Sequence, residues 1–216
     1  MDGLLIDTEA VYLEAYLAAA AHMKVDLPLA FCHSLIGRPG PDCDRLIQDY
    51  LGPSFALDAF NDHADSHAAR SLEAAVPVKA GAVELLAFLA GRGLPLAIAT
   101  SSSRGTAERH LDRAGLLGHF RTLATRDDVR RGKPHPDLYL EAARRLGVAP
   151  ERCLAFEDSN HGLAAAHAAG AIAIMVPDIV PPTDDVRAKC VAVLPDLHAA
   201  LGLLRHTLPL VTKSNG

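Results

Sequence analysis

The stretch RCLAFEDSNHGLAAAHAAGAIAIMV (152–176) sets two short apolar runs on either side of a helical pattern that closes on glycine. Apolar runs this short and continuous fit parallel strands covered on both faces, and glycine is a common helix stop. The alternation continues in both directions. LPLAIAT (94–100), RTLAT (121–125), RCLAFE (152–157), AIAIMV (171–176) and VAVL (191–194) read as strands. GAVELLAFLAGRG (81–93), SRGTAERHLDRAGLLG (103–118), PDLYLEAARRLGV (136–148) and SNHGLAAAHAAG (159–170) carry helical spacing. Repeated β-α units of this kind predict an open α/β sheet.

The chain before residue 76 is different. TEAVYLEAYLAAAAHM (8–23), GPDCDRLIQDYLG (40–52) and LDAFNDHADSHAARSLEAA (57–75) are helix-like, with no strand pattern among them. A helical block set into an α/β domain reads as an inserted cap. The expected division is a core of residues 1–9 and 76–216 with a helical cap over 10–75. LVTKSNG (210–216) is expected to be a loose tail.

Composition narrows the function. The 216 residues are half hydrophobic and 22% charged, as in ordinary globular proteins, with a net charge of −5. That balance argues against a nucleic-acid partner, which a basic patch would announce. No apolar run approaches the roughly 20 residues that span a bilayer, so no membrane association is expected. Asp2, Asp7 and Glu9 stand where a signal peptide would be basic. Cys32, Cys43, Cys153 and Cys190 form no CxxC pair or metal-ligand spacing. They read as reduced thiols of a cytoplasmic protein.

In open α/β sheets, ligands bind beyond the carboxyl ends of the strands. The polar residues there are Asp2 and Asp7 in the opening loop, Thr100 and Ser101 after LAIA, Lys133 in GKPHPD (132–137), and Glu157 and Asp158 after CLAF. Carboxylates, hydroxyls and one lysine suit a divalent cation with a phosphoryl group. Carboxylate oxygens hold Mg²⁺, hydroxyls and backbone N–H groups bind phosphate oxygens, and lysine supplies compact positive charge.

DGLLIDTE (2–9), LAIATSS (96–102), KPHPD (133–137) and FEDS (156–159) resemble, in order and spacing, the four motifs of the haloacid dehalogenase superfamily. The likeness covers essentially the whole chain and points to the branch with a helical cap after the first strand. It implies a Rossmann-like core and Mg²⁺-dependent phosphoryl transfer. The family's opening motif is Asp, any residue, Asp. The second Asp matches Asp2, so the nucleophile that becomes aspartyl-phosphate would be the residue before Met1. The central strand leading to it would lie upstream as well. A strand of about five residues buried on both faces is worth roughly 6–12 kcal/mol, comparable with total domain stability. The natural polypeptide is therefore expected to extend upstream of Met1.

The resemblance implies further roles. Asp2 would be the general acid/base, with its backbone carbonyl on the metal. Asp158 would be a direct metal ligand, with Glu157 beside or behind it. Thr100 and the Ser101 N–H would hold the transferring phosphoryl oxygens, and Lys133 would neutralise charge between phosphate and nucleophile. Ser159 can cap the following helix and release Asp158 for the metal. Asp7 and Thr8 are expected to shape the hinge. Arg38, in LIGRPGPD (35–42), is the candidate cap residue on substrate. His161 stands near the mouth of the site, His63, His67 and His110 read as surface residues, and RDDVRR (126–131) as a solvated loop.

Asp2 favours phosphate chemistry over dehalogenation. Mutase relatives carry a histidine shortly after the opening loop, where this chain has Tyr12, and a cap arginine slightly later than Arg38. The favoured reading is a phosphatase of a small phosphorylated sugar, polyol or organic acid, for which a monomer suffices. A mutase of the beta-phosphoglucomutase type is the alternative. If Met1 is the true start, the chain is instead a catalytically inactive relative.

Overall fold

The computed structural model describes residues 1–35 and 40–208. Contacts divide the chain into two compact units, Asp7–Pro77 and a second of Met1–Ile6 with Val78–Gly216. The expected cap limits of 10 and 75 lie just inside the first. Asp7 belongs to this unit because its carboxylate caps the first helix, accepting from Ala10 N at 3.3 Å, and its own N–H donates to Pro77 O at 2.9 Å.

The Asp7–Pro77 unit contains α1 (Thr8–Met23), α2 (Leu29–Leu35), α3 (Gly40–Leu51) and α4 (Leu57–Ala74). Val11, Ala15 and Ala19 line one face of α1 at four-residue spacing, and Phe60, Ala64, Ala68 and Leu72 do the same on α4. Those stripes pack against each other, and the alanines let the two backbones approach closely. Phe60 is fully buried and stacks on Tyr16, with ring centroids 6.0 Å apart. The short α2 has no counterpart in the sequence reading.

The other unit runs α5 (Ala82–Gly91), β1 (Ala97–Ala99), α6 (Arg104–Arg113), β2 (Thr122–Ala124), α7 (Asp137–Leu146), β3 (Leu154–Glu157), α8 (Asn160–Ala168), β4 (Ile172–Met175), α9 (Asp184–Arg187), β5 (Ala192–Val193) and α10 (Leu197–Thr207). All five strands lie within the stretches expected from sequence, and their pairings are parallel. The unit is an α/β fold, in two sheet fragments: β1 pairs only with β2, and β3, β4 and β5 form a second set. α7 packs on β1 and β2 through Leu138 and Ala142, and α8 packs on β3 and β4 through Leu163 and Ala166. The helix α10, near the expected tail, is anchored on α5 by buried Leu197, Leu201 and Leu204.

Two surface expectations are corrected. His110 is buried on α6, and burial holds its imidazole below the ordinary value against the pull of Asp2. Asp128, in the run expected to be a solvated loop, is the hub of a charged network. It accepts from Arg145 at 2.7 Å, Arg104 at 2.8 Å, and the Thr125 hydroxyl and N–H at 2.7 and 2.8 Å. Burial opposes its charge, but these hydrogen bonds, led by Arg145, hold the carboxyl well below the usual carboxylate range. On α7, the Arg144 guanidinium, with Arg145 behind it, holds Glu141 at about 2. Carboxyls lowered by folding contribute stability that is complete above about pH 4.5 and is lost as pH falls toward 2. Asp128→Asn is expected to lower stability by about 1.5–3 kcal/mol at pH 7, with a smaller deficit at pH 3, measured by urea unfolding at both pH values.

Candidate active site

The carboxyl ends of β1 and β3 carry most of the residues singled out in the sequence. Thr100 follows β1 and is buried, with its N–H on Ala124 O at 2.9 Å and its hydroxyl oxygen accepting from Ser102 N at 3.1 Å. That turn leaves Ser101 exposed and aims the Ser102 hydroxyl at Asp2, to which it donates at 2.9 Å. Ser102 was missed in the sequence; its signal was the serine run after LAIAT.

Glu157 ends β3 and is buried. Its Oε1 receives hydrogen bonds from Lys133 Nζ and from the Tyr139 hydroxyl, while Oε2 accepts from Ser159 Oγ at 3.3 Å. Burial would raise its pKa, but the Lys133 ammonium, and behind it the amino terminus of Met1, hold the carboxyl below the usual range. Tyr139 is pushed the other way, by burial and by the Glu157 charge. Its hydroxyl therefore stays protonated and donates. Tyr139 lies on α7, and only the fold brings it to Glu157.

Asp158 sits beside this pair. Burial and the adjacent Glu157 charge push its carboxyl up to about 6, against the pull of the Met1 amino terminus and Lys133. Ser159, not Asp158, caps α8, its Oγ accepting from Gly162 N at 3.1 Å. His161 is exposed on the first turn of α8.

Two glycines make room for the carboxylates. Gly3 has φ +73°, and a Cβ there would overlap the Asp158 carboxylate and stand 3.2 Å from Asp178 Oδ2. Asp178 Oδ1 pairs with Lys79 Nζ at 2.5 Å, whereas its buried Oδ2 has no hydrogen-bond partner among the described residues. No sequence signal marked Asp178 or Lys79. A Cβ on Gly162 would fall inside the Glu157 carboxylate. Gly162→Ala must therefore displace Glu157 and with it Lys133. An unfolding free energy lowered by roughly 2–3 kcal/mol is expected from urea titration, the cost of overpacking plus a broken charged contact.

Asp2, Thr100, Lys133, Glu157 and Asp158 thus meet in one region, at the Met1 amino terminus. Arg38 lies outside the described residues. Asp7 and Thr8 belong to the α1 cap, and Thr8 is buried.

Among the described residues, no three His, Cys, Asp or Glu side chains are grouped to hold a metal unaided. Mg²⁺ needs less, since it is commonly held by one or two carboxylates, with waters and substrate phosphate completing the shell. The crowded negative charge of Glu157, Asp158 and the orphaned Asp178 oxygen suits such a cation. No helix among the described residues is long and apolar enough to cross a membrane.

Residues 1–170 match the model of the haloacid dehalogenase-like hydrolases. The chain is 32% identical over 170 residues to a phosphorylated carbohydrates phosphatase of Thermotoga maritima, covering 79% of each chain. It is 32% identical to hexitol phosphatase B of Escherichia coli K12, covering 82% of this chain and 81% of the relative. Among solved structures, a HAD family hydrolase from Deinococcus radiodurans, with bound phosphate and sodium, superposes with a TM-score of 0.81. It is 29% identical, with 97% of this chain and 95% of that one covered.

Proposed function

This chain belongs to the haloacid dehalogenase-like hydrolases, and we propose that it is the body of a Mg²⁺-dependent phosphatase acting on a small phosphorylated sugar or polyol. The nucleophile in this reading is an aspartate directly before Met1. The observation that carries the phosphatase reading is the polar cluster at the carboxyl ends of β1 and β3, where Ser102 donates to Asp2 at 2.9 Å, Lys133 pairs with buried Glu157, and Gly3 leaves room for the Asp158 carboxylate.

The upstream carboxylate attacks phosphorus as the bond to the leaving oxygen breaks. Asp2 gives its proton to that oxygen, so the alcohol departs neutral and a phosphoaspartate remains. Water then attacks phosphorus, Asp2 takes back a proton, and inorganic phosphate leaves with the aspartate restored. The Ser102 hydroxyl orients Asp2 for both transfers. Thr100 and the Ser101 N–H hold phosphoryl oxygens, and Lys133 balances the charge that the phosphate brings beside the nucleophile. Asp158 and the Asp2 carbonyl would hold the metal. Glu157 has both oxygens engaged by Lys133, Tyr139 and Ser159, so in this reading it would fix Lys133 and stand beside the metal ligands. The bound Mg²⁺ would supply charge neutralisation at the phosphate. In this reading a monomer in the cytoplasm suffices.

The test uses the 216-residue chain carrying the upstream aspartate, supplied with Mg²⁺ and hexose, hexitol and glycerol phosphates. Inorganic phosphate and the free alcohol should appear in equal amounts. An isomeric sugar phosphate without phosphate release would transfer the assignment to the mutases.

A further inference from the structure

β4 leaves the sheet beside β3. Glu157 and Met175 are in register, and Val176 N donates to Glu157 O at 2.7 Å. The chain that follows β4 therefore carries Asp178 to the same sheet edge as Asp158. The opening loop closes on Asp178 from the other side. Lys79 N donates to Leu5 O and Gly3 N to Ile6 O, each at 2.9 Å, so Lys79 and Gly3 are tied to one loop.

Asp178 puts its two oxygens to different uses. Oδ1 pairs with Lys79 Nζ at 2.5 Å, in a side chain only 13% exposed. Oδ2 is buried and has no hydrogen-bond partner among the described residues. It is turned toward the metal-binding side of the site. The position of a Cβ on Gly3 lies 3.2 Å from Asp178 Oδ2 and closer still to Asp158 Oδ2.

A buried carboxylate oxygen is nearly always hydrogen-bonded, and an orphan calls for an ion or a water to meet it. Direct ligation fits less well than a water between. No three carboxylates among the described residues are grouped to hold a metal, and Lys79 already supplies this carboxylate with a counter-charge. Mg²⁺ keeps several waters, and the O–H groups of those waters need acceptors. Acceptors behind the ligands orient what the metal holds and set its affinity. We propose that Asp178 accepts, through Oδ2, a hydrogen bond from a water held on Mg²⁺ beside Asp158, and that Lys79 positions Asp178 by holding Oδ1. The inference rests on the Mg²⁺ site of the phosphatase reading. Asp178 is a positioning residue in it, so its loss shows in how the cation is held.

Mn²⁺ in place of Mg²⁺ tests this on the 216-residue chain. Titration followed by the EPR signal of free Mn²⁺ gives Kd, water-proton relaxation gives the number of waters on the bound ion, and urea unfolding in EDTA reports the fold. Asp178→Asn is expected to raise Kd about 10–100-fold with the water number unchanged. Lys79→Gln/Asp178→Asn keeps the net charge and strands no ammonium, so it should fold even where the single variant does not. The same rise in Kd there assigns the loss to the missing carboxylate oxygen, not to long-range charge. One more water on the ion in either variant would make Asp178 a direct ligand and overturn the proposal. Kd values within about twofold of the parent would leave Lys79 and Asp178 a structural pair and overturn it as well. In both of those cases Asp158→Asn, measured alongside, should still abolish binding, and the phosphatase reading stands. No Mn²⁺ binding by the parent chain overturns the proposal together with the metal site of that reading.

Discussion

Lys133→Met, made in the chain carrying the upstream aspartate, should lower unfolding free energy by about 3–5 kcal/mol and abolish measurable phosphate release. Lys133 meets Glu157 where both side chains are almost wholly buried. Removing one member of such a pair strands the other charge, and the penalty belongs to the stranded group more than to the lost contact. The double variant Lys133→Met/Glu157→Gln separates the two effects. A neutral amide can still accept from the Tyr139 hydroxyl, so most of the stability should return in urea unfolding. Activity should not return, because the phosphate would still lack its counter-charge. Recovery of both would make Lys133 a structural residue alone.

Asp2→Asn in the same chain should cost 10²–10⁴-fold in turnover, the usual range for a positioned proton donor, with little change in Tm. The Ser102 hydroxyl that donates to the Asp2 carboxylate can donate equally to an amide oxygen, so the loop keeps its geometry. A substrate whose leaving group needs no proton, such as p-nitrophenyl phosphate, discriminates further. Its first step should be nearly normal in the variant and its second step slow. A burst of p-nitrophenol followed by a trapped phosphoenzyme is expected under rapid quench. Equal loss on both substrates, without a burst, would remove Asp2 from acid/base duty.

The strands and the longer helices were legible because each is a local pattern. The runs at 94–100 and 152–157 are short, continuous and apolar, as parallel strands covered on both faces are, and the α1 and α4 stripes repeat every four residues. The placement of α10 was not legible, since its anchoring leucines find α5 only in the folded chain. The site was readable where the residues stand in sequence motifs, as Thr100, Lys133, Glu157 and Asp158 do. It was unreadable where partners come from far along the chain. Ser102 reaches Asp2 across 100 residues, Lys79 reaches Asp178 across 99, and Tyr139 reaches Glu157 across 18. His110 and Asp128 misled for the same reason. A polar residue on a helix or in a charged run reads as surface until its neighbours are known.

The most direct measurement is Mg²⁺-dependent phosphate release from a hexitol phosphate, run side by side on the 216-residue chain and on the same chain extended to carry the upstream aspartate. The extended chain should turn over and the 216-residue chain should give no release above the uncatalysed background. Robust turnover by the 216-residue chain alone would contradict the account, because the nucleophile would then have to be a residue already within it.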